Sequence, residues 1–246
     1  MLLLVGQAPT TALAAEHSDR RAADKTAADV NRAAPAKQGR ARVPVTEEPG
    51  QFRALGEDLE ISIAKESRGS VELRRSDKGS SEALRVGLPR GAKKKNAVLA
   101  QDGTVTYQET FVSTDVAVQA FADGVRIQTI LRDGNAPSEF SYPLVMPAGA
   151  KIVAGEDGSL AVFDSRGNLK GGFSPPWARD SKGLSLPTQY AVRGASVVQV
   201  VDHRGAAYPV VADPYLGINL ISSASWILRS PDGWTLQVAP TGWARI

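Results

Sequence analysis

Asp-Gly pairs stand at 102–103, 123–124, 133–134, 157–158 and 232–233, and they limit what can form between them. Both residues tolerate the positive φ of a tight turn, so Asp-Gly between alternating runs is a strong hairpin signal. After residue 50, no stretch longer than about ten residues carries an apolar stripe at helical spacing. The 23 glycines and 15 prolines supply the breaks that short strands require. The expected fold class is therefore all-β. It is an antiparallel β-sandwich-like domain built from hairpins, with a disordered or partly helical N-terminal leader and a C-terminal β-hairpin.

Two hairpins can be written down by register. A two-residue loop at Asp123-Gly124 pairs Ala122 with Val125, Ala120 with Ile127, Val118 with Thr129 and Val116 with Leu131. Nearly all the branched apolar side chains then share one face. The reverse face carries Phe121, Arg126, Gln119, Gln128, Ala117 and Ile130. A slip of one residue would destroy the separation. A three-residue loop at Pro231-Asp232-Gly233 pairs Ser230 with Trp234, Leu228 with Leu236 and Trp226 with Val238. Further strands are expected near 151–154, 159–164, 168–173, 190–193, 196–202 and 207–212, with a long ordered loop through Pro175-Pro176.

The N-terminal part has a different texture. Residues 1–15 read as a clipped secretory signal peptide, an apolar start followed by Ala12-Leu13-Ala14 as the cleavage motif. Residues 16–51 read as a flexible leader, because up to residue 50 they hold no Phe, Tyr, Trp, Ile or Leu to offset the entropy of ordering. A helix there would be marginal alone. Residues 52–214 form the β-rich secreted module and 215–246 a partial C-terminal hairpin domain. No run of about 20 apolar residues follows, so no transmembrane segment is expected. A net charge of +3 and the lack of a basic stripe interleaved with aromatics argue against nucleic acid.

Candidate chemistry is thin. The absence of cysteine removes disulfides, thiolate metal sites and thiol nucleophiles. Of the two histidines, His17 lies in the leader and His203 near a turn. Asp202 and His203 are neighbours on an extended chain and point to opposite faces, so they cannot orient one another, and His203 is expected to be a surface or turn residue. The oxygen donors at 156–159 and 164–168 lack the spacing of a calcium loop and read as turns. The lysine run at 93–95 reads as a solvated loop, with an anionic cell-wall or membrane contact as the alternative. Asp115 is the one acidic residue set against an apolar strand. Neither catalytic residues, nor a metal, nor a cofactor are expected. The binding candidates are Trp177, Trp226, Trp234 and Trp243, which supply either core or an exposed aromatic surface.

One resemblance is carried by Pro176-Trp177-Ala178, Pro187-Thr188-Gln189-Tyr190, His203 and the phrase from Tyr208 to Pro214. Together with the stretch before them, roughly 115–214, they resemble a β module of secreted actinobacterial proteins of unknown function. The tail, with Pro240 to Arg245, is similar to the start of a small C-terminal domain of unknown function that in its family runs on further, so a partial domain is expected here. The resemblance implies a secreted, non-enzymatic module at the cell envelope that presents a C-terminal domain, with an envelope component or protein as partner. The alternatives are a cell-wall hydrolase using carboxylates, or a carbohydrate- or protein-binding domain using exposed Trp.

Overall fold

The computed structural model describes residues 9–34, 41–56, 58–76, 83–89, 91, 93–146, 148–218, 226–229, 235–239 and 242–245. The chain opens with helix α1 (Pro9–Ala33). Strands β1 (Val45–Glu48), β2 (Gln51–Leu55), β3 (Leu59–Ala64), β4 (Ser70–Arg75) and β5 (Ala83–Gly87) then follow one another as an antiparallel meander. The β structure thus begins at Val45, inside the stretch expected as leader.

The chain next crosses to a second sheet with β6 (Val98–Leu99), β7 (Val105–Phe111), β8 (Thr114–Phe121) and β9 (Gly124–Leu131). It returns beside β5 as β10 (Glu139–Val145) and adds β11 (Lys151–Ala154), β12 (Leu160–Phe163), β13 (Leu169–Phe173) and β14 (Trp177–Arg179) to the second sheet. Strands β15 (Thr188–Arg193) and β16 (Ser196–Val201) complete the first sheet, and β17 (Val210–Asp213) and β18 (Tyr215–Gly217) complete the second. A separate three-stranded sheet holds β19 (Trp226–Arg229), β20 (Thr235–Ala239) and β21 (Gly242–Arg245). The expected all-β sandwich is the observed fold.

Alternation explains the packing. Strand β3 reads buried at Leu59, Ile61 and Ile63 and half-buried between them, as a strand with one covered face must. These side chains, with Phe52, Val71, Phe140 and Tyr142 of the first sheet, meet Val118, Ile127, Leu131, Phe173 and Leu216 of the second in one continuous apolar core.

The hairpin of β8 and β9 differs in register from the sequence reading. Phe121 pairs with Gly124, Ala120 with Val125, Val118 with Ile127 and Val116 with Thr129, so the loop is Ala122-Asp123. The shift is by two residues, which keeps every side chain on its expected face. Its cause is a close approach. A Cβ on Gly124 would lie 2.3 Å from the Leu216 carbonyl oxygen of β18. Gly124 is spent on bringing two strands together, and its φ is not in the left-handed region. The C-terminal hairpin pairs Leu228 with Leu236 and Trp226 with Val238 as expected, while Ser230, Trp234 and the loop between them lie outside the described residues.

The phrase Tyr208 to Pro214 forms part of an interior strand. Both β17 and β18 pair with β9, Val210 with Leu131 at one end and Gly217 with Gly124 at the other. Pro214 has no N–H to donate, so the ladder breaks there. Its carbonyl accepts from the Ile127 N–H at 2.9 Å. On the other side the partner changes from β14 to β13.

Candidate functional site

The helix supplies the largest addition to the sequence reading. Residues 12–21 are exposed all round, but Ala23, Thr26, Ala27, Val30 and Ala33 are buried on the outer face of the second sheet. Their spacing places them on one side of the helix. These small side chains bring the helix backbone near the sheet, and polar groups supply the specificity. The Arg132 guanidinium donates to Asp115 Oδ2 through Nε at 2.9 Å and Nη2 at 2.5 Å, and to Asp29 Oδ2 at 2.5 Å. Thr26 Oγ1 accepts from Arg132 Nη2 at 2.6 Å and donates to Asp115 at 3.1 Å. The other Asp115 oxygen accepts the Glu109 N–H at 2.8 Å. Burial opposes the charge on Arg132, but Asp115 and Asp29 outweigh it and raise its pKa. A helix that would be marginal alone is therefore held by a buried ionic network. Asp115, noted in the sequence as an acid against an apolar strand, is the centre of that network.

Beside it on the same face lies a second ion pair. Arg126 of β9 pairs across β8 with Gln119, whose amide donates to Asn31 Oδ1 of the helix at 2.9 Å. The Arg126 guanidinium stacks 5.2 Å from the Phe121 ring centroid and 5.9 Å from that of Trp177, with Nε 3.2 Å from Asp213 Oδ2. Asp213 is 1% exposed, and neither carboxylate oxygen makes a hydrogen bond. The Trp177 indole N–H lies beside it, short of hydrogen-bond geometry. Burial pushes the Asp213 carboxyl up to about 7, against the pull of Arg126.

Trp177 is accordingly half-buried against Val30 and Val211 and stacked on a cation, so the structure places it at the helix–sheet junction. Trp226 pairs with Val238 and Val238 with Trp243, so Trp226 and Trp243 share one row of the C-terminal sheet. Trp234 lies outside the described residues.

His203 is the turn residue of the sequence reading but not a surface one: it is 4% exposed. It follows β16 in a turn closed by the Ala206 N–H on its carbonyl at 3.2 Å. Its Nδ1 lies 2.8 Å from Tyr208 Oη, and its Nε2 lies 3.1 Å from Oγ of Ser138, an exposed residue. Asp202 takes no part. It forms two 2.9 Å bonds with Arg204, which hold its carboxyl down at about 2. Tyr208, five positions along the same turn, occupies the place that the neighbouring acid cannot reach. Ser138 arrives from 65 residues earlier, just before β10, so sequence spacing gave no sign of it.

The oxygen-rich stretches are turns, as expected. Asp164 accepts the Arg166 and Asn168 N–H groups at 2.9 and 2.8 Å, and Asp157 accepts that of Ser159 at 3.0 Å. The lysine run is met by the chain's own acids, Lys94 by Glu66 at 2.6 Å and Lys95 by Glu109 at 3.6 Å. A cavity of about 290 Å³ opens between the end of α1 and the turn at 180–183. Of its two acids, Asp29 is engaged by Arg132 and Asp180 accepts backbone N–H groups from Lys182, Leu184 and Ala207. Among the described residues no helix is long and apolar enough to cross a membrane. No family model, curated protein or solved structure matches this chain.

Proposed function

We propose that the chain is a secreted β-rich module, held at the cell envelope, whose role is to present a C-terminal unit. The observation behind this reading is the route by which the chain leaves the sandwich. Its last strands, β17 and β18, lie inside the second sheet, with β9 on one side and β14 and β13 on the other. A load on whatever follows Ile218 therefore reaches ladders on both sides instead of peeling an edge strand. The register that pairs Trp226 with Val238 and Val238 with Trp243 supports a carbohydrate or protein ligand for the presented sheet.

Export fits the helix. Cleavage after Ala14 removes no side chain described as buried, since the first of these in the helix is Ala23. The test is an epitope tag placed after Ile246, with protease treatment of intact cells and mass spectrometry of the mature N-terminus. The expected result is a tag accessible from outside on a chain that begins at Ala15. An uncleaved chain found only in the cytosol overturns the proposal.

A further inference from the structure

We propose that Ser138 is a nucleophile activated by His203, able to accept an acyl group from a carboxylic ester. This activity would be additional to presentation and does not rest on it. The argument is one of proton positions. Tyr208 Oη lies 3.0 Å from the His203 backbone carbonyl, which can only accept, so the phenol proton is committed there. Oη must then accept at its 2.8 Å contact with His203, which places the ring proton on Nδ1. Nε2 is left with its lone pair toward Ser138 Oγ at 3.1 Å, so the serine hydroxyl donates to it. A buried ring held by Tyr208 through Nδ1, with an exposed serine at Nε2, is the nucleophile-and-base pairing from which nucleophilic catalysis starts.

In the step proposed, Oγ attacks the ester carbonyl and forms an Oγ–C bond while His203 Nε2 takes the serine proton. The bond from carbon to the leaving alcohol breaks, and the same proton passes from Nε2 to that alcohol. Water then repeats the sequence, releasing the acid and restoring Ser138. Tyr208 is the positioning residue, since it acts only through the tautomer of His203.

An alkyl fluorophosphonate tests this on the full chain. Oγ–P forms, P–F breaks and fluoride leaves. The expected result is one adduct at Ser138 by peptide mass spectrometry, absent in Ser138→Ala. In Tyr208→Phe the maximal labelling rate should fall about tenfold or more, with the half-saturating probe concentration unchanged. Because the chain holds no cysteine, Ser138→Cys gives a single thiol at an exposed position that tolerates it. That thiol should be alkylated by iodoacetamide at pH 6 about tenfold faster than free cysteine. Absence of an adduct, an adduct at another residue, or a thiol in the Ser138→Cys variant that reacts no faster than free cysteine overturns the proposal. A Tyr208→Phe variant that labels at the wild-type rate removes the tyrosine from it.

Discussion

The two faces of the β8–β9 hairpin are covered in different ways. On the inner face Val116, Val118, Val125, Ile127 and Leu131 meet the first sheet through apolar contact. On the outer face Asp115, Gln119, Arg126 and Gln128 are just as buried, beside Ala117 and Ile130. There the helix brings only alanines, one valine and a few polar side chains. Apolar contact is non-directional and adds up over many neighbours. A buried ionic network is concentrated in a few bonds, and removing one member leaves an unpaired charge. The inner interface should therefore fail gradually and globally, and the outer one locally and through single residues.

The largest effect is expected on the inner face. Ile127→Ala deletes fully buried methyl groups in the middle of the core and should cost about 3–4 kcal/mol. Urea melts followed by far-ultraviolet circular dichroism and by tryptophan fluorescence should shift together. If the helix signal alone moved, the two interfaces would not differ as argued. Next in size is Arg132→Met on the outer face, which keeps volume but leaves Asp115 without its cation and Asp29 with Arg32 alone. A local cost of about 2 kcal/mol is expected. Amide exchange should speed up over residues 23–34 and stay slow in β3 and β9. Equal loss of protection in those strands would make the helix an integral part of the sandwich core.

This contrast also marks what the sequence made legible. The face assignment of residues 116–131 was readable because a period of two is set by backbone geometry alone. The register was not, because Gly124 has two possible uses. A turn signal and a close contact with β18 look identical in one dimension, and the second prevailed. Partial helicity of the leader was readable from its alanines, but an ordered helix from Pro9 to Ala33 was not. Its docking was not, because Thr26, Asp29, Asp115 and Arg132 become one network only when strands distant in sequence meet. The same holds for Ser138 and His203. Asp202 was the visible neighbour of the histidine, yet Tyr208 takes its place.

Within the outer face, two buried aspartates sharpen the comparison further. Asp115 accepts bonds from Arg132, Thr26 and the Glu109 backbone. Asp213 has the Arg126 ion pair and no hydrogen bond, with Trp177, Tyr142 and Tyr190 as its other near neighbours. Its folded-state pKa of about 7 exceeds the unfolded value of about 3.9. Between those values the folded chain keeps a proton that the unfolded chain has shed. Stability from this group is therefore complete below about pH 4 and falls as the pH rises to about 7, after which it is level. Asp213→Asn stays neutral throughout and lacks that slope. At pH 3.5, where Asp213 is protonated in both states, the variant should match the parent within error. At pH 8 it should be the more stable by something on the order of 2 kcal/mol. Urea melts of both proteins at the two pH values measure this, and the difference between them cancels the titration of every other carboxylate. Parallel pH slopes, or an Asn variant less stable at pH 8, would mean that Arg126 holds Asp213 ionised and that both aspartates on this face are equally well satisfied.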